Sequence, residues 1–285
     1  MSEELLRTSL LSLSRCPVCE QSRLRTVGRT PTIHPRSVIQ VDLVECLNCL
    51  HWFINPTVSQ TTLMALYENG SEYVVSDGWQ PAKRAFSLPE RYIIRRESQR
   101  SPKSRKYLEI GVGRGLLLNH FRGLGYECHG VEPGPWARDI PSVVADMKEL
   151  GRTGFDVVVM ADVLEHVQDP LALLKQVSGL VDRGVLYVCL PNSESLRARM
   201  SKGNWRMVRP FGHLHFFSRR SLSVMLEASG FQVRELRKTD LVDLSPRRLL
   251  RSPHSAPLKM LLFLLQGLCG DQWIARAEKG TGAFL

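Results

Sequence analysis

Leu108-Glu109-Ile110-Gly111-Val112-Gly113-Arg114-Gly115 reads as a strand running into a glycine turn and then into a helix. Glycines at alternate positions permit a tight bend and let a ligand lie against the backbone at the helix N-terminus. Twenty-one residues after Gly111 stands Glu132, at the end of the next apolar run. In a doubly wound sheet that position faces the ribose hydroxyls of a nucleotide, from which a carboxylate accepts a pair of hydrogen bonds.

Outward from this turn, strands and helices alternate. Residues 107–110, 127–131, 155–161 and 185–190 are short, almost continuously apolar runs, the last stopped by Pro191-Asn192. Helices are predicted over 116–124 and 170–180 between them, and over 218–229, with Ser218 as N-cap and Gly230 as stop. Residues 231–236 and 272–277 give two further strands, with a helix over 257–267 between them. Continuous rather than alternating apolar strands mean that both sheet faces are covered, the mark of a doubly wound α/β domain.

A dinucleotide site wants glycine or alanine at position 116, where this chain has Leu116. A pyrophosphate has little use for the carboxylate of Glu109, whereas a cationic sulfonium with a free amino group does. Glu109-x-Gly111-x-Gly113-x-Gly115, with Glu132 behind it, resembles the cofactor motif of the class I methyltransferases that use S-adenosylmethionine (SAM). Ala145-Asp146-Met147 sits where that family places an acid against the adenine amino group and an apolar side chain under the ring. The run Phe155-Asp156 through Asp162-Val-Leu-Glu165-His166 matches its fourth-strand motif, and Pro191-Asn192 and Phe211-Gly-His213-Leu-His215-Phe-Phe-Ser218 resemble a broad bacterial small-molecule and sugar subfamily. The resemblance spans residues 16–277. It implies a Rossmann-like, seven-stranded sheet with the last strand antiparallel. It also implies SAM bound by Glu109, Gly111, Gly113, Gly115, Glu132, Asp146, Met147 and Asp162. Acceptors in that subfamily include sugars, lipids, quinones and other metabolites.

Four of the seven cysteines form two Cys-x-x-Cys turns, Cys16/Cys19 and Cys46/Cys49, separated by 26 residues. Four thiolates on two such turns close a tetrahedron around Zn²⁺, and a site with four sulfurs is full and therefore structural. The gap requires an intervening hairpin to bring the pairs together. Trp52, Phe53, Asn55 and Pro56 after the second pair resemble the zinc module that precedes many bacterial metabolite methyltransferases. The expected organisation is a zinc-ribbon-like four-cysteine module over 1–56, a helical connector over 57–105 and the SAM-binding domain over 106–285. A helix over 59–68 and another within 71–105 belong to the connector.

SAM carries an already activated methyl group, so the protein must align the reacting atoms and remove one proton. His166 follows the fourth strand, at the sheet edge where ligands bind, and is the candidate base. His213 and His215 lie in the insertion after the fifth strand, one as a candidate acceptor contact and the other as a packed residue. Asp162-x-x-Glu165-His166 with His213 also resembles the divalent-ion cluster of RNA 3′-terminal 2′-O-methyltransferases and ubiquinone-pathway O-methyltransferases, which implies a possible Mg²⁺ there. This chain has Asp162 where those enzymes usually have the longer Glu. Arg209, Arg219 and Arg220 flank the histidine loop and offer a grip for a phosphate.

The formal net charge is +10, and residues 197–259 hold fourteen Lys/Arg against four Asp/Glu. That surplus favours an anionic acceptor, or contact with an acidic membrane through 257–268. The longest apolar run, 258–268, falls well short of the roughly 20 residues a spanning helix needs. With no signal-like N-terminus and an odd cysteine count, the expected location is the cytoplasm. A methyltransferase acting on RNA is the alternative, because a zinc module and basic flank also suit RNA. Against it, Asp-Val-Leu-Glu-His replaces the Asn/Asp-Pro-Pro-aromatic turn that holds a flipped base. A SAM-binding scaffold without turnover is the third possibility.

Overall fold

The computed structural model describes residues 9–31, 40–68, 86–101, 105–209, 212–239 and 270–280. Its first part holds β1 (Leu10–Leu11), β2 (Leu24–Pro31), β3 (Gln40–Cys46), β4 (Trp52–Asn55), β5 (Thr57–Val58), α1 (Gln60–Glu68) and α2 (Leu88–Glu97). The second runs through β6 (Lys106–Ile110), α3 (Leu116–Gly123), β7 (Glu127–Val131), β8 (Val143–Val144), β9 (Val157–Ala161), α4 (Pro170–Gly179) and β10 (Val185–Pro191). It then continues with α5 (Leu196–Ser201), β11 (His215–Phe216), α6 (Arg219–Ala228), β12 (Phe231–Thr239) and β13 (Gln272–Lys279).

Seven strands form one sheet in the order β12-β13-β10-β9-β6-β7-β8. β13 is antiparallel to both β10 and β12, while the inner pairs are parallel. This is the doubly wound arrangement with an antiparallel last strand that the motifs imply. Alternate residues of the central strands feed two separate cores. Leu108, Val158, Leu186 and Val188 face Leu174 and Val177 of α4 and Leu222 and Met225 of α6. Tyr107, Val157, Val159 and Tyr187 face Ile93 of α2 and Leu117, Leu118 and Phe121 of α3. Burial on both faces is why the strands lack a period of two.

Some bounds differ from the sequence pattern. The seventh strand, β8, is two residues long, too short for any periodicity to announce. β9 starts at Val157 because the backbone N–H groups of Gly154 and Phe155 already bond the carbonyl of Leu180, and the Asp156 carboxylate accepts from the Lys106 N–H at 2.8 Å. α6 carries a capping box on Ser218 and Ser221, and Gly230 follows it at φ 88°. The expected helix over 257–267, and with it the membrane-contact segment, lies outside the described residues. No helix among the described residues is long and apolar enough to cross a membrane.

α2 is anchored by a capping box on Ser87 and Glu90 and by the fully buried Glu97. Glu97 pairs with Arg105 at 2.8 Å and accepts from the Tyr187 hydroxyl at 2.7 Å, which locks the helix to the sheet.

The N-terminal strands make a second sheet, ordered β11-β4-β3-β2. Its fourth strand is supplied from more than 150 residues downstream, by the insertion that follows β10. One hydrophobic cluster joins the two: Val41, Leu43, Trp52 and Ile54 from the module pack with Ala198, Trp205, Met207, Leu214 and Phe216 from the insertion. Where β2 crosses the turn at 202–204, Gly28 and Gly203 lie back to back. A Cβ on Gly28 would come within 2.6 Å of the Gly203 nitrogen, and one on Gly203 within 2.5 Å of the Arg29 carbonyl oxygen.

Candidate functional site

The glycine turn leaves β6 with all three glycines at positive φ: 77° at Gly111, 56° at Gly113 and 76° at Gly115. They serve different ends. A Cβ on Gly111 would sit 2.5 Å from Val163, and one on Gly115 would sit 2.9 Å from Ile140, so both are set by packing. A Cβ on Gly113 would meet nothing within 4 Å, so this residue forms the open floor of the turn.

Glu132 closes that floor. One carboxylate oxygen accepts from the Gly113 N–H at 2.8 Å and the other from the Gly134 N–H, also at 2.8 Å. These bonds fix the plane of the carboxylate and leave each oxygen a lone pair, the geometry a ribose diol needs. Burial raises its pKa, against the backbone hydrogen bonds that lower it. Glu109, on β6 below the turn, is buried and accepts from the Tyr107 hydroxyl at 3.1 Å. Burial pushes its pKa up to about 8. Asp146 is exposed and caps the turn at Met147–Leu150 by accepting from the Lys148 N–H at 2.9 Å, while Met147 packs half-buried against the core.

The acceptor side is built from the β9–α4 loop and the segment before β11. His166 sets its Nδ1 against the carbonyl of Gly212, and His213 sets its Nδ1 2.7 Å from the carbonyl of Met207. A carbonyl only accepts, so each Nδ1 carries the proton and each Nε2 keeps its lone pair. The rings meet edge-on, centroids 4.6 Å apart. Glu165 joins them, and the ligand atoms of Glu165, His166 and His213 all lie within 4.8 Å of one another. The Glu165 side chain is fully buried, and neither of its oxygens has a hydrogen-bond partner among the described residues. Burial, then the charge of Asp162, drives its carboxyl well above the usual range. Burial lowers His166 to about 4 and holds His213 well below the ordinary imidazole value.

One expectation needs correcting. Asp162 does not join Glu165, His166 and His213. It ends β9 in a left-handed conformation, φ 56°, and accepts from Gln272 Nε2 at 2.7 Å. The four-residue cluster is therefore a three-residue one. His215, the other loop histidine, is buried with its Nδ1 3.1 Å from His51 Nε2. Arg219 lies over Trp273, its guanidinium carbon 5.4 Å from the ring centroid. Gln272 escaped the sequence reading. It opens an antiparallel strand, so its N-terminal position brings it to the carboxyl edge of the parallel ones, which no local pattern records.

The Cys-x-x-Cys turns are copies of each other. Glu20 N–H donates to the Cys16 carbonyl and Leu50 N–H to the Cys46 carbonyl, both at 2.9 Å. Glu20 and Leu50 both adopt positive φ, 59° and 61°, a strained choice for side chains of their kind. The Cys16–Cys49 and Cys19–Cys46 sulfur pairs are 3.5 Å apart, and all four sulfurs lie within 4.8 Å of one another. Tetrahedral zinc with bonds of about 2.3 Å sets its sulfurs about 3.8 Å apart, so the donor set fits that ion. Val18 N–H and Asn48 Nδ2 point at Cys16 and Cys19 sulfur, as outer-shell donors to thiolates do.

Residues 82–236 match the family model described as a methyltransferase domain. Among curated proteins, ubiquinone biosynthesis O-methyltransferase of Cereibacter sphaeroides (strain ATCC 17029 / ATH 2.4.9) is 34% identical over 100 residues, 30% of this chain and 40% of that protein. The same-named protein of Ruegeria pomeroyi is 31% identical over 98 residues, with the same coverage. The match thus spans well under half the length of these relatives. Among solved structures, 1,6-didemethyltoxoflavin-N1-methyltransferase of Burkholderia thailandensis, with bound 1,6-didemethyltoxoflavin and S-adenosylhomocysteine, superposes with a TM-score of 0.54. It is 17% identical, with 88% of this chain and 99% of that one covered, a likeness of fold.

Proposed function

Because the chain belongs to the methyltransferase domain family, we propose that it transfers a methyl group from SAM to an oxygen or carbon of a small-molecule acceptor. The observation that carries this is the open floor at Gly113 beside a carboxylate already oriented by two backbone N–H groups. Glu132 would hold the ribose diol, Asp146 and Met147 the adenine, and Glu109 with the turn the amino-acid end. Asp162, steadied by Gln272, flanks that end at the tip of β9. SAM supplies the methyl group on a positively charged sulfur, so the chain's own task is alignment, exclusion of water and removal of a proton.

His166 is suited to that last step at Nε2, because its Nδ1 proton is committed to the Gly212 carbonyl and burial keeps the ring neutral. A pKa near 4 makes it a weak base for an ordinary hydroxyl. The stranded carboxyl of Glu165 favours a second reading, in which Nε2 of His166 serves as a ligand and not as the base: a divalent cation held by Glu165, His166 and His213. Two imidazoles and one carboxylate suit Mn²⁺, Fe²⁺ or Zn²⁺ better than Mg²⁺, and three ligands leave positions open for acceptor oxygens. The surplus of positive charge supports an anionic acceptor, such as a phosphorylated or nucleotide-linked sugar. At the four-cysteine cluster we propose a structural Zn²⁺, supported by the matched turns and the sulfur spacing.

Calorimetry with S-adenosylhomocysteine (SAH), the demethylated product, tests the core of this. One site per chain is expected, and no heat on folded, zinc-loaded protein would sink the proposal. Tritium transfer from labelled SAM into fractionated metabolites and RNA then identifies the acceptor class. Transfer that appears only in the RNA fraction would replace the small-molecule assignment. Loss of transfer with a weak chelator, restored by Mn²⁺, supports the catalytic cation, and unchanged transfer refutes it.

A further inference from the structure

A short chain of backbone contacts joins the four-cysteine cluster to the acceptor side. β4 begins three residues after Cys49 and pairs antiparallel with β11, matching Phe53 to His215 and Trp52 to Phe216. The Ile54 N–H donates to the Leu214 carbonyl at 3.0 Å. From the same stretch, the Leu214 and His215 N–H groups donate to the carbonyl of Glu165, at 2.7 and 3.3 Å. The Cys49 carbonyl itself accepts from the Ser218 hydroxyl at 2.8 Å, pinning the residue where α6 starts. His51, two residues beyond Cys49, completes the clasp through the buried contact with His215. By contrast, the backbone hydrogen bonds of Gly111, Val112, Gly113 and Gly115 go to Val131, Glu132, Val112 and Asn119.

We propose that the four-cysteine centre is a positioning device for the acceptor side: its metal fixes β4, and β4 with His51 fixes β11 and the residues just before it, which include His213 and grip the backbone of Glu165. The inference rests on the zinc assignment above. It predicts that metal removal disturbs one half of the site and spares the other. Short hydrogen bonds at the ends of a two-residue strand have little stability of their own, so they open locally once their support is loosened.

The full chain, first freed with a weak chelator of any cation at Glu165, His166 and His213, is followed before and after stripping of the four-cysteine centre with a strong chelator, by hydrogen exchange, by imidazole nitrogen NMR and by SAH calorimetry. Stripping is expected to speed exchange at the Leu214 and His215 amides about tenfold or more and to move the Nε2 resonances of His166 and His213. Readdition of Zn²⁺ restores both, while SAH affinity stays within about twofold throughout. Unchanged exchange at 214–215 in metal-free protein overturns the proposal. So does a loss of protection that extends over 107–119 with disappearance of SAH heat, since the metal would then support the whole fold. Purified protein without about one zinc per chain instead overturns the zinc assignment itself. His51→Phe keeps a ring of similar shape and the four sulfurs but removes the contact with His215. Retained zinc with faster exchange at His215 is expected, and retained zinc with wild-type exchange removes His51 from the device.

Discussion

The two halves of the site are made in opposite ways. The cofactor half is assembled mostly from one stretch, residues 107–147, whose turn bonds to the next strand, with Asp162 at the tip of β9 as its outlying member. The acceptor half takes Glu165 and His166 from one loop, His213 from another some fifty residues on, and its backing strand from the N-terminal module. Short-range encoding gives a motif that can be recognised, and long-range encoding gives a geometry that only folding produces. The halves also differ electrically. Glu132 is buried but answered by two N–H groups, whereas Glu165 is buried and unanswered among the described residues.

That contrast can be broken by substitution. His166→Ala should lower transfer by roughly 10²–10⁴-fold, whether the imidazole acts as base or ligand, and leave SAH affinity unchanged. Transfer at the wild-type rate would remove it from the chemistry. Glu132→Ala should weaken SAH binding about 100-fold, since it removes charged hydrogen-bond acceptors for both the ligand and the turn. Unaltered calorimetric affinity would mean that the diol is held elsewhere.

Glu109 offers a pH test within the cofactor half. Its folded-state pKa of about 8 lies above the usual 4.5, so between those values the native state binds the extra proton. Its contribution is therefore fully present below about pH 4.5 and is lost as pH rises toward 8, with a slope of at most about 1.4 kcal/mol per pH unit. Glu109→Gln should flatten that slope in denaturant titrations of the ligand-free protein, and an unchanged slope would refute the assignment. The smallest change in stability is expected at Glu165. Replacing an unpartnered buried carboxyl with an apolar group of similar size, as in Glu165→Leu, should raise the stability of cation-free protein by about 1–2 kcal/mol while abolishing transfer. A lower denaturation midpoint would show that Glu165 has a stabilising partner.

Much of this architecture was legible beforehand. Gly111, Gly113, Gly115 and Glu132 announced the nucleotide half because a tight turn and a diol-binding acid impose residue types at fixed spacing. The apolar runs gave six of the seven sheet strands because both faces are buried. What the sequence hid is equally specific. β8 is too short to pattern, and Gln272 reaches Asp162 only because β13 runs against its neighbours. Asp162 looked like a fellow ligand for Glu165 by its place in the motif, but it has a left-handed backbone and its carboxylate is bonded by Gln272, outside the cluster of Glu165, His166 and His213. The pairing of β11 with β4 depends on two segments that carry no mark of each other.

The meeting of Gly28 and Gly203 has a consequence for anyone who would recombine this protein. Two main chains touch there with no room for even a methyl group between them, so neither segment tolerates a partner of different contour. A chimera that exchanges the cysteine-rich head while keeping the native insertion, or the reverse, inherits a mismatch at this crossing. The two pieces must travel as a pair, and substitutions in one are expected to be accompanied by substitutions in the other.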